Sequence, residues 1–192
     1  MATIHVTTHS HLSPERVLAA GYDFSAWRAE NFPAVSTPYL EVHELSQTSA
    51  DVTEGTPASV GINWERCRYD WSQTGSVKAL VTDSNVYQPA NSSWELRATP
   101  SERGSQVEMI WIREFTHNAC GRIFGTLFRL IGKVIFTREA KRTIRNLERV
   151  ETVIEREHRD DALVTPMPQL PGQRLPARLV VPCAVDEAEQ HH

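Results

Sequence analysis

The sequence predicts an α+β domain in which a curved antiparallel sheet of six to seven strands wraps around one long C-terminal helix. Between residues 38 and 116 apolar and polar residues alternate with a period of two, and turn-forming residues interrupt the alternation at short intervals. From Ala119 onward the period becomes that of an amphipathic helix. A curved sheet closed by a single helix tends to enclose a hole, so we expect room for a small molecule.

The first 33 residues predict one strand and two short helices. Residues 3–9 alternate Ile4 and Val6 with polar side chains, which is typical of a strand with one buried face. The segment 13–15, Ser-Pro-Glu, has the composition of a helix start, because serine caps free amides and proline has no amide to leave unpaired. Gly21 is predicted to end this helix, and a second one is predicted at 24–31, before Pro33.

The alternating region predicts six further strands, at 39–45, 50–54, 60–71, 77–87, 93–99 and 106–116. Turn residues separate them at 54–57, 73–75, 88–91 and 100–104. Consecutive strands joined by such short turns form an antiparallel meander. The helix that follows has an apolar stripe of Phe124, Phe128, Ile131 and Ile135, which we expect to face the sheet and cover the hole. The alternative is that this stripe packs fully against the sheet and leaves no hole.

Composition predicts one globular domain followed by a tail. With 192 residues and 40% apolar residues, the chain is large enough for a core. We place the domain at 1–158 and a proline-rich tail, expected to be disordered, at 159–192. No segment has the apolar length of a membrane span and the N-terminus lacks a secretory pattern, so we expect a cytoplasmic protein. The three cysteines have no CxxC spacing, and we expect no metal and no cofactor.

The charge of the chain is unevenly distributed. The formal net charge is −4, which gives no reason to expect nucleic-acid binding. The segment 122–149, however, has eight basic and two acidic residues, a net charge of +6. This basic helix face could make transient contact with an anionic membrane, could bind a partner protein, or could simply keep the helix soluble. The sequence does not determine the oligomeric state.

The order of these elements resembles that of the SRPBCC superfamily, whose fold is the START-like helix-grip fold. The likeness is greatest to its bacterial polyketide cyclase/dehydrase and lipid-transport-like branch. The segments that carry it are 13–17 (SPERV), 23–25 (DFS), 92–97 (SSWELR) and 104–108 (GSQVE). It covers about residues 3–157. The resemblance implies an elongated apolar cavity under the long helix, but it implies no shared catalytic motif.

Strand parity selects the residues that line the expected hole. On the last strand Val107, Met109, Trp111 and Arg113 share one face, while glutamates mark the other face as solvated. The predicted ligand-binding residues are therefore taken from the inward faces of the strands and of the long helix: Trp64, Arg66, Val81, Trp94, Leu96, Met109, Trp111, Arg113, Phe124, Phe128 and Ile131. Arg113 has either a ligand carboxylate or enolate as its partner, or a loop carboxylate or water at the rim of the sheet.

Two sets of polar residues suggest chemistry without specifying it. His5, His9 and His11 share the outer face of the first strand, where three imidazoles could bind a metal, but that face is expected to be solvated. Asp70, Asp83, Glu114 and His117 are candidate general acids or bases, yet no spacing pairs them. No phosphate loop, serine elbow or nucleotide motif is present in the sequence.

Three functional hypotheses follow. The first is binding or transport of a small hydrophobic ligand, of lipid or polyketide type, in an internal cavity, which the five tryptophans favour. The second is an enzyme of the polyketide cyclase/dehydratase kind, in which Arg113 or Arg66 polarises a carbonyl and an acid or base moves protons. The third is a partner-binding protein that uses the basic helix or the tail.

Overall fold

Seven strands form one antiparallel sheet on which a single long helix packs. The computed structural model describes residues 1–58, 61–117 and 119–163, without the side chains of residues 58, 61, 119, 120 and 153–163. In chain order the elements are β1 (Ala2–Ser10), α1 (Pro14–Gly21), α2 (Trp27–Asn31), a 3₁₀ turn (Thr37–Tyr39), β2 (Glu41–Leu45), β3 (Ser49–Ala58), β4 (Gly61–Asp70), β5 (Ser76–Ser84), β6 (Ser93–Ser101), β7 (Gly104–Arg113) and α3 (Ala119–Leu163). The predicted order of elements is confirmed.

The sheet is an antiparallel meander from β2 to β7, to which the first strand, β1, is added beside β7. The spatial order is β1-β7-β6-β5-β4-β3-β2, so β1 pairs with the last strand while the others follow chain order. The register shifts between β4 and β5 at Arg66 and Cys67, and again between β2 and β3. Such bulges bend a strand and increase its twist, which curves the sheet around the helix. The helix α3 packs against β1 and α2, and α1 covers β6 and β7.

The first helix, α1, begins with the N-terminal cap that the sequence predicted. Ser13 accepts a hydrogen bond from the backbone N–H of Arg16 at 3.4 Å, and Pro14 is the first helical residue. At the other end Gly21 lies against the sheet, where a Cβ atom would be 2.9 Å from Leu96 Cδ2. A larger residue there would push the helix away from the sheet.

The long helix faces the sheet with a stripe that differs from the predicted one. Ile131 and Ile135 are 46% and 47% exposed, and Phe124 is only partly buried. Of the predicted stripe only Phe128 is buried, and the buried face runs from it through Gly132 and continues through small and apolar residues: Ala140, Thr143, Ile144 and Leu147. The physical reason is close approach: a Cβ atom at position 132 would be 2.8 Å from Ile4 Cδ1. The helix approaches β1 closely at Gly132. Phe128, Ile144 and Leu147 fill the core on the same side, and Ile131 and Ile135 are exposed.

Two glycines with positive φ allow a test of backbone strain: Gly104 in the hairpin between β6 and β7, and Gly75 in the turn between β4 and β5. Gly104 has φ +112, and a Cβ atom there would collide with the backbone of Ser10 and His11. Gly75 has φ +82, but its nearest neighbour would be Ala98 O at 3.9 Å. We expect Gly75→Ala to lower the free energy of unfolding by about 1 kcal/mol from backbone strain alone. Gly104→Ala should cost about 2 kcal/mol, because the collision adds to the strain. Urea denaturation of both variants measures the difference, and equal losses would contradict the collision.

Two further features bear on the predicted organisation. None of the helices among the described residues combines the length and the apolarity that a membrane crossing requires. The helix α3 continues to Leu163, past the predicted boundary at 158, and the remainder of the proposed tail, residues 164–192, lies outside the described part of the chain.

A charged cavity between the sheet and the long helix

A cavity of about 250 Å³ lies between the inner face of the sheet and α3. Its walls come from β3 to β7, from α2 and the segment that follows it, and from Phe136 and Glu139 of α3. The tryptophans Trp64, Trp94 and Trp111 belong to the wall, and Trp94 and Trp111 are paired across β6 and β7. The volume is slightly below the roughly 300 to 1,000 Å³ of typical small-molecule sites. The expected hole is present, although it is not purely apolar.

One side of the cavity is a closed network of three ionisable groups. Arg28 Nε donates to Glu54 Oε1 at 2.7 Å, Arg28 Nη2 donates to Tyr69 Oη at 2.9 Å, and Tyr69 Oη donates to Glu54 Oε2 at 2.8 Å. Arg28 Nη1 donates to the carbonyl of Gly21 at 3.1 Å. Burial disfavours the charge of Arg28, but Glu54 and Tyr69 outweigh that cost and raise the pKa of Arg28 above its ordinary value. The network is satisfied, so it shapes and stiffens the wall.

A second pair, only partly satisfied, lies beside this network, since Glu65 on β4 is the direct neighbour of Glu54 on β3. Arg113 Nη2 donates to Glu65 Oε1 at 3.2 Å, and the guanidinium lies 4.5 Å from the centre of the Tyr87 ring. Arg113 is 4% exposed. Within the described residues, three buried atoms of this wall have no hydrogen-bond partner: Arg113 Nε, Glu65 Oε2 and Asn63 Oδ1. An unpaired buried polar group costs about 1 to 3 kcal/mol. This wall therefore has one unused hydrogen-bond donor and two unused acceptors that a ligand could pair.

The electrostatics of this wall favour one protonated carboxyl. Burial raises the pKa of Glu65, although the charge of Arg113 opposes it. Burial also raises the pKa of Glu139 to about 7, and the charge of Arg113 again opposes the shift while that of Glu65 adds to it. A carboxyl with such a pKa can give or take a proton at neutral pH. Glu139 is therefore the group of the cavity best suited to proton transfer.

The Cys67 thiol of the wall is unsuited to nucleophilic chemistry. Burial raises the pKa of the Cys67 thiol well above its ordinary value, so the thiol stays protonated. Among the described residues no group of three potential ligands could hold a metal ion. His5 and His11 have separate partners, Glu108 at 3.5 Å and Glu148 at 3.1 Å.

Four of the predicted ligand-binding residues lie in the cavity wall: Trp64, Trp94, Trp111 and Arg113. Arg66 does not. Its side chain is 43% exposed and forms a bidentate ion pair with Asp51 at 2.7 and 2.9 Å on the outer face of the sheet. The prediction that Arg66 points inward was wrong, because both faces of β4 mix polar and apolar residues. The buried residues of β4 are Cys67 and Tyr69, on the opposite face.

The other predicted residues are core or surface residues. Val81, Leu96 and Met109 are fully buried in the packed part of the interior, outside the cavity wall. Phe128 is buried between Phe115 and Phe136, with ring centres 5.3 and 5.2 Å away. The structure places Phe124 and Ile131 outside the wall as well, since the helix is rotated relative to the predicted stripe.

The predicted acids and bases lie elsewhere, and the structure provides others. Asp70, Asp83, Glu114 and His117 do not contribute to the cavity wall. The sequence reasoning missed Glu65 and Glu139. The helical spacing could have identified Glu139 as an inward residue. It follows Phe128 by 11 residues and Gly132 by seven, which are about three and two helical turns, so all three residues lie on one face of the helix. The surrounding basic residues hide this signal, since they make Glu139 look like one more surface charge.

Comparison with known proteins identifies the architecture. No protein-family model matches the chain, and neither does any curated protein. Solved structures do match. The Zhui aromatase/cyclase from Streptomyces sp. R1128 superposes with a TM-score of 0.63 at 14% identity, covering 77% of this chain and 94% of that one. A START superfamily protein from Mycobacterium smegmatis gives 0.56 at 11% identity, covering 79% and 98%.

The chain has the START-like helix-grip fold. A protein from Thermus thermophilus also shares it, with a TM-score of 0.61 at 15% identity over 77% of this chain and 95% of that one. The fold that the sequence resemblance implied is thereby confirmed. In this helix-grip domain the cavity occupies the space between the sheet and the long helix, as the resemblance implied.

Proposed function

We propose that this helix-grip protein binds a small amphipathic molecule in the cavity, one that has an apolar ring system and a carbonyl or carboxylate group. The observation that carries the proposal is the buried, partly unpaired Arg113 in a cavity wall that also contains the rings of Trp64, Trp94 and Trp111. The rings provide apolar contact area, and a guanidinium fork recognises carboxylate-like oxygens. The hydrophobic ligand expected from the sequence is thus refined to one with a polar end.

The volume limits the size of this molecule. At about 250 Å³ the cavity is smaller than most sites for drug-sized ligands. A long acyl chain would require the helix and sheet to separate. The geometry therefore favours a compact ring compound over a whole lipid.

The test compares two ion pairs on opposite faces of the sheet. The ligand is first identified by native mass spectrometry of protein purified from its host, and its binding is then followed by quenching of the cavity tryptophans. The double variant Glu65→Leu/Arg113→Met removes the inner pair without leaving a lone buried charge. The matched control, Asp51→Leu/Arg66→Met, removes the outer pair.

We expect the inner double variant to bind at least about tenfold more weakly, because a hydrogen bond to a charged group contributes about 1.5 to 3 kcal/mol. The outer double variant should bind like the wild type. Protein that never carries a ligand, or equal affinities of the two variants, would overturn the proposal.

A second candidate is an enzyme that moves a proton next to a carbonyl group, as a cyclase or dehydratase must. Glu139 favours it, since a raised pKa of about 7 suits a general acid or base. Arg113 would stabilise the enolate. The test is exchange of hydrogen for deuterium at the central carbon of 1,3-dicarbonyl compounds, followed by NMR. Exchange by the wild type that Glu139→Gln abolishes, with ligand binding retained, would support it; exchange unaffected by that change would exclude it.

A further inference from the structure

The N-terminal half of α3 exposes a row of large apolar side chains to solvent. Leu130 is 75% exposed and Val134 is 54% exposed. The six residues that form this exposed stripe are Ile123, Leu127, Leu130, Ile131, Val134 and Ile135. Single exposed apolar residues are common on soluble proteins, but a contiguous row marks a surface that another body covers.

The stripe lies on the side of the helix that faces away from the sheet. Its members are spaced three and four residues apart, which places them on one helical face. The opposite face carries Phe128 and Gly132, which pack toward β1. No described residue of the domain can cover the exposed stripe without releasing this packing. Whatever covers the exposed stripe is therefore not among the described residues of this domain.

Basic residues border the exposed stripe along one edge and beyond its C-terminal end. Arg122, Arg129 and Lys133 run along one edge of it, since they follow each other at seven and four residues. Beyond Ile135 the same helical face continues with five basic residues: Arg138, Lys141, Arg142, Arg145 and Arg149. All of these eight basic residues are exposed.

The two acidic residues of this segment do not compensate the positive charge of the outer helix face, because their side chains contact the cavity and the end of β1 instead. Glu139 lines the cavity. Glu148 accepts hydrogen bonds from Ser10 Oγ at 2.9 Å and from the backbone N–H of His11 at 3.1 Å. The outer face of α3 from 122 to 149 is thus apolar in its first half, positive along one edge and positive in its second half.

We propose that this face docks on an anionic lipid bilayer. An interfacial helix places its apolar side chains at the boundary of headgroups and acyl chains while flanking arginines and lysines bind lipid phosphates. The exposed stripe and its basic border have this arrangement. A second copy of the chain fits less well, because a helix-to-helix contact through the stripe would bring the basic borders of both copies together.

Docking would also bring the cavity to the bilayer. Phe136 and Glu139, the helical part of the cavity wall, lie within about one turn of the end of the stripe at Ile135. The proposed docking does not depend on the identity or the chemistry of the cavity ligand.

The test is flotation of the full chain with vesicles of phosphatidylcholine, with or without phosphatidylglycerol. We expect binding to the anionic vesicles only. Leu130→Asp/Val134→Asp and Arg129→Glu/Lys133→Glu should each weaken it by about tenfold or more. The matched controls are Leu45→Asp/Leu80→Asp and Arg68→Glu/Arg103→Glu, which change exposed apolar and basic residues on the sheet and in a turn and should bind like the wild type.

Three results would overturn the proposal. One is a wild-type protein that does not bind anionic vesicles, and another is binding that the α3 variants and the controls lose equally. The third comes from light scattering: a wild-type dimer that Leu130→Asp/Val134→Asp converts to a monomer would show that a second copy covers the stripe.

Discussion

Replacing Arg113 by methionine is expected to lower the free energy of unfolding by about 3 kcal/mol. The guanidinium is 4% exposed and is the ion-pair partner of Glu65, whose side chain is 22% exposed. Removing one partner of a buried pair leaves the other charge without compensation, which typically costs about 3 to 5 kcal/mol. The partial exposure of Glu65 places the expected value at the lower end. Urea denaturation near neutral pH measures the loss.

The controls separate the ion pair from the loss of side-chain volume. Glu65→Leu/Arg113→Met removes both charges and should recover most of the lost stability, because an apolar pair of similar volume replaces a buried ion pair at little cost. Arg66→Met breaks the pair with Asp51 on the outer face of the sheet and should have a much smaller effect, because ion pairs near the surface contribute little. If the double variant were as unstable as Arg113→Met alone, packing rather than charge would explain the effect.

Replacing Glu139 by glutamine is expected to stabilise the protein, and increasingly so as the pH rises. Burial raises the pKa of Glu139 to about 7 in the folded state, against an ordinary value near 4.5. Below the ordinary pKa the carboxyl is protonated in both states and contributes no pH dependence. Between the two values the folded protein binds a proton that the unfolded chain has lost, so wild-type stability falls as the pH rises.

The full penalty is reached well above pH 7 and amounts to at most about 3.5 kcal/mol, since one pKa unit corresponds to about 1.4 kcal/mol. The glutamine variant lacks this penalty. We therefore expect equal stabilities of variant and wild type near pH 4.5 and a more stable variant near pH 8. Denaturation midpoints measured across this range provide the comparison. Glu102→Gln, in the exposed turn between β6 and β7, is the control and should show no such trend.

The inward residues of the central strands show how far parity reasoning reaches. On β7 the alternation is regular, and Val107, Met109, Trp111 and Arg113 are all buried as their spacing predicted. On β4 the inward face carries Glu65, Cys67 and Tyr69, while the outward face carries Arg66 and Arg68. Hydrophobicity alone does not distinguish these two faces. The choice depends on the partners across the sheet, since Glu65 pairs with Arg113 and Tyr69 with Arg28 and Glu54.

The rotation of α3 has a related cause. The most apolar stripe of its N-terminal half was expected to be buried, but of that stripe only Phe128 is, and Gly132 lies at a close contact with β1. A helix can approach a sheet edge closely only where its side chains are small, and a hydrophobicity pattern gives little weight to small residues. The exposed stripe and the inward position of Glu139 both follow from this rotation.

By itself the sequence determined the order of the elements, the antiparallel meander, the N-terminal cap of α1 and the inward face of β7. These depend on local periodicity, turn residues and capping, which act over a few neighbouring residues. Only the tertiary structure decided that the cavity is charged, that Arg113 lies beside Glu65 in a wall shared with Glu139, and which face of α3 remains in solvent. Those properties depend on groups far apart in the chain whose burial and pairing exist only once sheet and helix have packed together.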